Sequence, residues 1–358
     1  MQKKIKVLVV DDSALVRQVL TTIIDESEDL EVVGAARDPI DARDKIKKLN
    51  PDVLTLDIEM PKMDGVTFLK NLMRLRPMPV VMISTLTEAG ADITLEAIEV
   101  GAVDFISKPK IDIKDGLEGY SELIIEKIKV AASAKVREYK NSDLKAKTSK
   151  KLDADAVIEK RTGKIRFKTT GKIVAIGAST GGTEAIKEVL ENLPADSPGI
   201  VISQHIPAAF SRAFTERVNR NSQVIVCEPK DGQKILPGHV YIAPGDRHLL
   251  VECCGAEYIC RLNDGPPVNR HKPSVDVMFR SVAQNVGPNA VGVMLTGMGA
   301  DGAQGMLEMK QQGSYNISQD EESCVVWGMP GAAVKIGAVD KEFNLSKIAD
   351  EILRYCSI

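Results

Sequence analysis

Short apolar runs alternate with stretches of helical spacing over the first 125 residues of the chain. The runs are IKVLVV, LEVVGAA, DVLTLDI, PVVMIS and DFIS, and each is followed by a segment whose apolar residues recur at the spacing of an amphipathic helix. Strands that alternate with such helices form a parallel sheet covered on both faces. The pattern therefore predicts an α/β domain with five parallel strands.

The same alternation resumes at residue 172, in KIVAIG, TEAIKEVLENL, GIVISQ and AAFSRAFTERVN, and it continues from SVDVMFRSVAQNV to the closing helix KIADEILRYC. Between these parts lies KDGQKILPGHVYIAPGDRHLLVECC, where Gly and Pro separate short strands and turns. The pattern predicts a second, larger α/β domain over 169–358, a doubly wound parallel sheet with an antiparallel insertion.

Charge replaces periodicity between the two domains. Residues 137–168 carry 11 Lys or Arg against 5 Asp or Glu. The composition is typical of a solvated linker with some helical character, although a basic binding arm is an alternative. We therefore divide the chain into a first domain over 1–125, a linker over 126–168 and a second domain over 169–358.

Composition excludes several classes of protein. A net charge of -3 and an aromatic content of 4% give no sign of a nucleic-acid-binding face. The six cysteines show no CxxC spacing, so neither a zinc cluster nor a disulfide framework is indicated. The first apolar run is too short for a signal peptide core, and no run approaches the roughly 18 residues of a membrane helix. We expect a cytoplasmic monomer that does not enter the membrane.

Polar residues stand where the strands of the first domain end. Asp11 and Asp12 follow the first strand, Asp57 and Ser84 end the third and fourth, and Lys108 follows the fifth. Because the carboxyl ends of parallel strands share one edge, these side chains should converge there. Three carboxylates repel one another unless a cation lies among them, and oxygen ligands suit Mg²⁺. Taken singly, Asp12 could cap a helix and Asp57 could begin a turn.

The motifs VVDDS, LDIEMPKMDG, MISTLT and DFISKP closely resemble the receiver domain of bacterial response regulators. The resemblance covers 1–125 and implies a flavodoxin-like (βα)5 fold in which Asp57 accepts a phosphoryl group from a histidine kinase. It also implies that Asp12, Asp57 and the carbonyl of Glu59 hold Mg²⁺, with Asp11 in support. Mg²⁺ would be needed for phosphorylation only.

The resemblance gives roles to three further residues. Lys108 would neutralise the phosphoryl oxygens, and Ser84 and Phe105 would form the switch pair. The chemistry is sound, because an Asp carboxylate attacks phosphorus when a metal ion and a lysine offset the charge of the transferring group. Phosphorylation adds acceptor oxygens that a nearby hydroxyl such as Ser84 can approach.

The second domain opens with GASTGG at 177–182, between an apolar run and a helical pattern. Such a loop serves either as a phosphate cradle or as a turn that presents Ser179, because the first N–H groups of a helix are unpaired. Residues 177–181 fit GxSxG, a moderate signal with many chance matches. The loop lacks the lysine of a Walker A motif and the spacing of GxGxxG.

A nucleophilic Ser179 needs a base and an acid that orients it. Of the four histidines, His205 follows the run GIVIS and should lie at the same sheet edge, and Asp301 stands at a third strand-to-helix crossing. Asp301 could instead cap the helix that begins near Ala303. The order Ser, His, Asp differs from that of α/β-hydrolases, but such triads are defined by geometry. The remaining histidines are His239, His248 and His271.

Six motifs, GASTGG, SQHIP, DGQKILPGHVYIAPGDRH, RHKPSVDVMF, MLTGMGADGA and SCVVWGMPGAA, resemble the catalytic domain of chemotaxis protein-glutamate methylesterases over 170–352. The resemblance implies that Ser179 is the nucleophile, His205 the general base and acid, and Asp301 the residue that orients His205. Its substrates would be glutamyl methyl esters and glutamines of chemoreceptors, and hydrolysis would need no cofactor.

The resemblance also implies that the backbone N–H of Met298 is an oxyanion donor and that Thr180 lies close to the site. His271 would either contact the substrate or pack against its neighbours. Cys324, the other conceivable nucleophile, is expected to be a small buried hydrophobe.

Two hypotheses follow for the whole chain. The first is a phosphorylation-activated ester hydrolase and deamidase that serves adaptation in chemotaxis. The alternative is a response regulator whose second domain is a noncatalytic nucleotide-binding or interaction module, with GASTGG as an anion site. Replacement of Ser179 by Ala distinguishes them, because it abolishes turnover by a hydrolase but spares most of the affinity of a binding loop.

Overall fold

The computed structural model describes residues 4–60, 63–84, 88–108, 117–134, 154, 157–158 and 171–356. The chain forms two compact units, Met1–Leu144 and Lys145–Ile358. None of the helices within those described ranges combines the length and apolarity needed to cross a membrane.

The first unit is a five-stranded parallel sheet with helices between its strands. The strand order is β2-β1-β3-β4-β5, which is that of flavodoxin-like folds, and the predicted fold is confirmed. The strands are β1 Ile5–Val10, β2 Leu30–Ala36, β3 Val53–Asp57, β4 Val80–Ser84 and β5 Asp104–Ser107. The helices are α1 Ala14–Asp25, α2 Pro39–Leu49, α3 Gly65–Leu75, α4 Glu88–Val100 and α5 Leu117–Ser133.

Burial and capping explain these elements. Every residue of β3 and β4 is buried, as expected for central strands covered on both faces. Helices α1, α2 and α3 begin after Ser13, Asp38 and Asp64, whose side chains accept hydrogen bonds from N–H groups of the first turn. Ser13 thus caps α1, and its own N–H donates to Asp11 Oδ1 at 2.8 Å.

The first unit extends further than the sequence analysis placed it. Helix α5 runs to Ser133, and Ile124, Ile128 and Ala131 are buried within it. Helix α5 therefore continues past the predicted boundary at 125, because buried apolar residues recur along it as far as Ala131.

The second unit contains a seven-stranded parallel sheet of order β14-β13-β12-β6-β7-β9-β8 and a separate antiparallel pair, β10 and β11. The strands are β6 Ile173–Ala178, β7 Gly199–Gln204, β8 Ile225–Cys227, β9 His239–Ile242, β10 His248–Cys254, β11 Glu257–Asn263, β12 Ala290–Met294, β13 Tyr315–Gln319 and β14 Lys341–Phe343. The helices are α6 Gly182–Glu191, α7 Ala208–Asn221, α8 Val275–Asn285, α9 Ala303–Gln311, α10 Met329–Lys335 and α11 Leu345–Cys356.

The predicted doubly wound sheet is thus confirmed, and the antiparallel insertion is smaller than expected. Strand β9 lies within the Gly/Pro-punctuated stretch, yet it pairs in parallel with β7 and β8. Among the strands of the described residues, β10 and β11 form the antiparallel pair, and Lys234 adds an isolated antiparallel bridge to Ile259 of β11.

Helix α8 is buried along most of its length, because it packs between the main sheet and the β10–β11 hairpin. Ser281 Oγ accepts a hydrogen bond of 2.9 Å from the N–H of Val251 in β10. On the other side a Cβ on Gly177 of β6 would come within 3.2 Å of Phe279, so the glycine permits close contact with the helix. This packing holds the first turn of α8 beside the end of β6.

Candidate active site and receiver site

The catalytic candidates lie where the strand order of the second sheet reverses. Strand β6 has β7 on one side and β12 on the other, and a parallel sheet opens a crevice beyond the carboxyl ends of such strands. Ser179 follows β6, His205 follows β7, and Asp301 lies in the loop after β12. The sheet therefore brings together three residues that are far apart in the sequence.

The three side chains form a continuous chain of contacts. His205 Nδ1 lies 3.1 Å from Ser179 Oγ, and His205 Nε2 lies 2.8 Å from Asp301 Oδ2. An ionised carboxylate only accepts hydrogen bonds, so Nε2 of a neutral His205 carries the proton and Nδ1 is free to accept. This tautomer can take the hydroxyl proton of Ser179.

Asp301 is buried, yet its carboxylate is well satisfied. It accepts hydrogen bonds of 2.7 Å from Asn269 Nδ2, 2.9 Å from Ser274 Oγ and 2.7 Å from the N–H of Val275. Burial raises the pKa of Asp301, but its hydrogen bond and charge interaction with His205, helped by Asn269, outweigh that effect and hold the pKa below its ordinary range. Asp301 is therefore charged beside His205.

The first turn of α8 supplies part of this support. The N–H of Val275 is one of the helix-terminal donors that have no partner within the helix, and such donors favour a negative charge. Ser274 caps α8 and also donates to Asp301. Its own N–H donates to Nδ1 of the buried His248 at 3.1 Å.

The GASTGG loop makes a sharp turn around Ser179. The N–H of Ser179 donates to the carbonyl of Thr296, and its carbonyl accepts from Gln204 Nε2 at 3.0 Å and from the N–H of Gly182 at 2.7 Å. Gly181 has a φ of 75°, a conformation that favours glycine. The loop therefore fixes the backbone of Ser179 at the start of α6.

The loop after β12 lies directly against Ser179. A Cβ on Gly297 would lie 2.9 Å from Ser179 Cβ and 3.0 Å from its nitrogen. Met298 follows, and its backbone N–H donates to no group in the described part of the chain. Thr180 is buried, and its carbonyl accepts from Thr296 Oγ1 at 3.0 Å. Both predicted near-site residues thus stand in the segments that meet at Ser179.

Several residues that support the catalytic candidates are not predicted from the sequence. Asn269, Ser274 and Gln204 bind the catalytic candidates through hydrogen bonds that no spacing rule predicts. The stretch RHKPS was a signal for this region, and its His271 stacks on His205 with ring centroids 3.7 Å apart and an interplanar angle of 11°.

Cys324, the alternative nucleophile, stands apart from these contacts. It is buried, and its Sγ lies 4.0 Å from the carbonyl oxygen of Gln319.

The acidic cluster of the first unit surrounds one lysine. Lys108 Nζ lies 2.8 Å from Asp57 Oδ2 and 3.5 Å from Asp11 Oδ2. Burial raises the pKa of Asp57 to about 6 against the opposing hydrogen bond from Lys108. The carboxylates of Asp11, Asp12 and Asp57 each offer an oxygen, and these oxygens lie within 4.8 Å of one another.

This oxygen cluster fits a magnesium ion. Asp11 Oδ2 is buried and lies 3.5 Å from Lys108 Nζ, a longer contact than the 2.8 Å one to Asp57, so a metal ion beside it would stabilise this carboxylate further. The N–H of Glu59 donates to Asp57 Oδ1 at 3.3 Å, so the predicted carbonyl ligand belongs to a residue beside the cluster. Hard oxygen donors of this kind suit Mg²⁺.

The predicted switch residues are both buried and lie on neighbouring strands. Ser84 Oγ is 2.8 Å from Thr94 Oγ1, and the carbonyl of Ser84 accepts from the N–H of Lys108. Phe105 packs beneath Lys127, whose Nζ lies 5.3 Å from the ring centroid. The backbone of Ser84 is thus hydrogen-bonded to the backbone of Lys108, whose side chain contacts Asp57.

A flavodoxin-like domain with a partly buried acidic cluster, followed by a doubly wound domain with Ser, His and Asp at its switch point, defines a response regulator with a hydrolase as its effector. Residues 7–118 match the response regulator receiver domain, and residues 174–352 match the CheB methylesterase family. The chain belongs to the CheB methylesterase family. It is an ester hydrolase with an attached receiver domain.

Relatives match along almost the entire chain. It is 58% identical to the protein-glutamate methylesterase/protein-glutamine glutaminase of Hydrogenovibrio crunogenus, with 98% of each chain covered. It is also 58% identical to protein-glutamate methylesterase/protein-glutamine glutaminase 1 of Xanthomonas euvesicatoria, covering 99% of this chain and 98% of the relative. The second domain resembles the crystal structure of the Thermotoga maritima CheB methylesterase catalytic domain, with 36% identity and a TM-score of 0.51 over 52% of this chain and 98% of that one.

Proposed function

We propose that the second domain hydrolyses glutamyl methyl esters and glutamine side chains of chemoreceptors, and that Ser179, His205 and Asp301 perform the reaction. The observation that carries the proposal is the contact chain of 3.1 Å from Ser179 Oγ to His205 Nδ1 and 2.8 Å from His205 Nε2 to Asp301. The names of the relatives supply the substrate class.

In acylation, Ser179 Oγ attacks the side-chain carbonyl of the substrate and its proton passes to His205 Nδ1. Asp301 stabilises the imidazolium that forms. When the tetrahedral intermediate collapses, the same Nδ1 proton goes to the departing methoxide oxygen or amide nitrogen, so that methanol or ammonia leaves and an acyl-enzyme ester remains on Ser179.

In deacylation, water takes the place of the departed group. His205 Nδ1 removes a proton from the water as it attacks the acyl carbon, then returns that proton to Ser179 Oγ as the glutamate product leaves. The N–H of Met298, which donates to no group among the described residues, supports its role as a donor to the oxyanion, since Met298 follows Gly297, where a Cβ would lie 2.9 Å from Ser179 Cβ. Thr180 then forms the wall next to the nucleophile.

We further propose that Asp57 is the phosphoryl acceptor and that a chemotaxis histidine kinase is the phosphodonor. Bound Mg²⁺ would offset the negative charge of the transferring group, held by Asp12, Asp57 and the Glu59 carbonyl with Asp11 beside them. Lys108 lies against Asp57 and is placed to neutralise a phosphoryl oxygen. Ser84 and Phe105 would carry the change to the domain surface.

We propose that the reaction takes place in the cytoplasm, where a kinase and the cytoplasmic ends of receptors are available. The six cysteines are free thiols, which suits a reducing compartment. One chain holds all three catalytic candidates, so we propose that a monomer is active.

The test is to incubate the full chain with receptor fragments carrying labelled methyl esters and to measure methanol release. Methanol should appear with the native chain and vanish with Ser179→Ala. Release that persists in the variant would contradict the proposed nucleophile. No release by the native chain, with or without a phosphodonor and Mg²⁺, would contradict the substrate class.

A further inference from the structure

A tight turn at residues 268–271 contacts the candidate site at two points. The N–H of Val268 donates to the carbonyl of His271 at 3.0 Å, and the N–H of His271 donates to the carbonyl of Val268 at 2.8 Å. Between them Asn269 and Arg270 have φ of 52° and 72°. Two successive left-handed residues within such a pair are typical of a type I′ hairpin turn. We call this segment the 268–271 turn.

The first contact is made by the amide of Asn269. Its Nδ2 lies 2.7 Å from Asp301 Oδ1 and 2.7 Å from Asp276 Oδ2, so the amide donates one hydrogen to each carboxyl group. Asp276 is itself fixed, because its Oδ1 accepts a 2.7 Å bond from the N–H of Gly305 and it is 4% exposed. The hydrogen bond to Asp276 therefore fixes the amide of Asn269, and the same amide donates to Asp301.

The second contact is made by the ring of His271. It lies almost parallel to the ring of His205, with centroids 3.7 Å apart. A ring stacked at this distance opposes tilting of its partner, and its face can stabilise a positive charge that develops on the partner. The backbone bonds of the turn fix His271 relative to Asn269, so the two contacts act from one rigid unit.

We propose that the 268–271 turn positions the general base and the carboxylate that supports it, with Asn269 orienting Asp301 and His271 orienting His205. This inference rests on the proposed function of Ser179, His205 and Asp301. Asn269 and His271 are positioning residues, since they act through His205 and Asp301. Asp276 is the anchor of Asn269.

The physical reason is the freedom that each partner would otherwise have. Without the turn, Asp301 keeps its hydrogen bonds from Ser274 and Val275 but loses a 2.7 Å bond to Oδ1, and the ring of His205 loses the ring stacked on it. Either loss allows more displacement at the Nε2–Oδ2 contact. Small misplacements of reacting groups cost rate far more than binding, up to about 100-fold for displacements near 1 Å. Loss of the turn's contacts should therefore lower kcat and leave KM nearly unchanged.

The chain offers matched variants for a test. Asn269→Gly removes the amide, and glycine keeps the left-handed backbone without strain. Asn50→Gly is its control, because Asn50 is also left-handed, with a φ of 47°, and lies in the receiver domain. His271→Ala removes the stacked ring, whereas His271→Phe restores an aromatic face without ring nitrogens.

The measurements are kcat and KM for methanol release by the full chain, with folding of each variant checked by its denaturant midpoint. We expect Asn269→Gly and His271→Ala to lower kcat by about 10-fold to 100-fold with little change in KM. We expect His271→Phe to recover most of the loss. Asn50→Gly should match the native chain.

A second readout does not depend on turnover. With ¹⁵N-labelled histidine, the Nε2 proton of His205 should exchange with water faster in Asn269→Gly than in the native chain, because Asp301 is then held by one hydrogen bond fewer. A purely structural role for the turn would lower stability and leave this exchange and the kcat of the folded fraction unchanged.

The outcomes separate the two proposals. Activity that survives Ser179→Ala overturns the proposed function itself. If Ser179→Ala is inactive while folded Asn269→Gly and His271→Ala have native kcat, only the positioning role is wrong. A His271→Phe variant as slow as His271→Ala would overturn orientation by stacking.

Discussion

His205 meets Asp301 through Nε2, at 2.8 Å from Oδ2, so the ring nitrogen that faces Ser179 Oγ is Nδ1. In the serine protease template the two nitrogens have the opposite assignment. Nδ1 is closer to the histidine backbone than Nε2 is. The backbone of His205 must therefore lie close to Ser179 if Nδ1 is to reach its Oγ. It does, because its N–H donates to the carbonyl of Ala178 at 3.2 Å, where the neighbouring strands β6 and β7 end.

We expect Ser179→Ala and His205→Ala each to lower ester hydrolysis by about 10⁴-fold or more, and the double variant to be little worse than either. The reason is that Ser179 loses its proton to His205 in the same step in which it attacks the substrate, so removing either residue abolishes that step. Methanol release from receptor fragments measures all three variants. His239→Ala, which changes a histidine outside the site, should keep native activity, and losses that multiply in the double variant would argue against a shared step.

Asp57→Asn should abolish phosphate incorporation from a small phosphodonor while leaving basal ester hydrolysis measurable. An amide cannot form the acyl phosphate, and Ser179 is in the other unit of the chain. Labelled acetyl phosphate provides the measurement, and removal of Mg²⁺ with a chelator should mimic the variant. Asp44→Asn, an exposed carboxylate of the same domain, should incorporate phosphate normally. Incorporation that persists in Asp57→Asn would exclude Asp57 as the acceptor.

Gly297→Ala should reduce ester hydrolysis, because its methyl group would meet Met329 Sδ at 2.5 Å, Ser179 Cβ at 2.9 Å and the Ser179 nitrogen at 3.0 Å. Relief of that overlap moves either the nucleophile or the loop that carries Met298, and such shifts cost about 10-fold to 100-fold in rate. The comparison is Gly255→Asn, at a hairpin position with open space and a φ of 65° that Asn tolerates. Equal kcat in both folded variants would show that the close approach is dispensable.

Stability of the second domain should respond to pH through Asp276. Burial, with the charge of Asp301 in addition, raises the pKa of Asp276 to about 7 in the folded state, whereas an unfolded aspartate titrates near 3.8. The folded state then binds more protons between these values, so this residue's contribution to the free energy of unfolding falls as pH rises from about 4 to about 7.

Asp276→Asn should remove that contribution. Denaturant midpoints of the second domain at pH 5 and pH 8 measure the effect, and the native chain should lose more stability between them than the variant. Asp264→Asn, which changes an exposed aspartate paired with Arg247, is the control. An identical loss in Asp276→Asn and the native chain would contradict the raised pKa.

The stretch assigned to the linker should contribute to the stability of the second domain. Ala154, Val157 and Ile158 pack against a cluster that contains Val268 and Val277, and the carbonyl of Ile158 accepts from Arg280 Nη1 at 3.0 Å. A fragment over 150–358 should therefore be more stable than one over 169–358, by roughly 2 kcal/mol for partial burial of these side chains.

Denaturant unfolding of the two fragments provides that measurement. Val157→Ala in the longer fragment should lower stability by part of the difference. Equal stability of the two fragments would show that the packed segment makes no net contribution.

The sequence alone determined the strand-to-helix alternation of both domains and the residues that end the strands. Asp57 and Ser179 could be singled out because parallel strands place their carboxyl ends along one edge whatever the exact packing. The charged stretch showed that the chain divides, but charge does not reveal where α5 ends or that Ile158 packs against the second domain. The parallel pairing of β9 was hidden for a similar reason, since short strands between turns have no periodicity that indicates their partner.

Tertiary structure decided how the site is supported. Apart from His205, the short donors to Asp301 are Asn269, Ser274 and Val275, which precede it by 26 to 32 residues, and the packing of α8 against β6 brings them there. Which nitrogen of His205 faces Ser179, and which ring covers it, depend on side-chain rotation inside that packing. Hydrophobic periodicity indicates which face of an element is buried, but only the assembled fold fixes what that face and the loops beyond it contact.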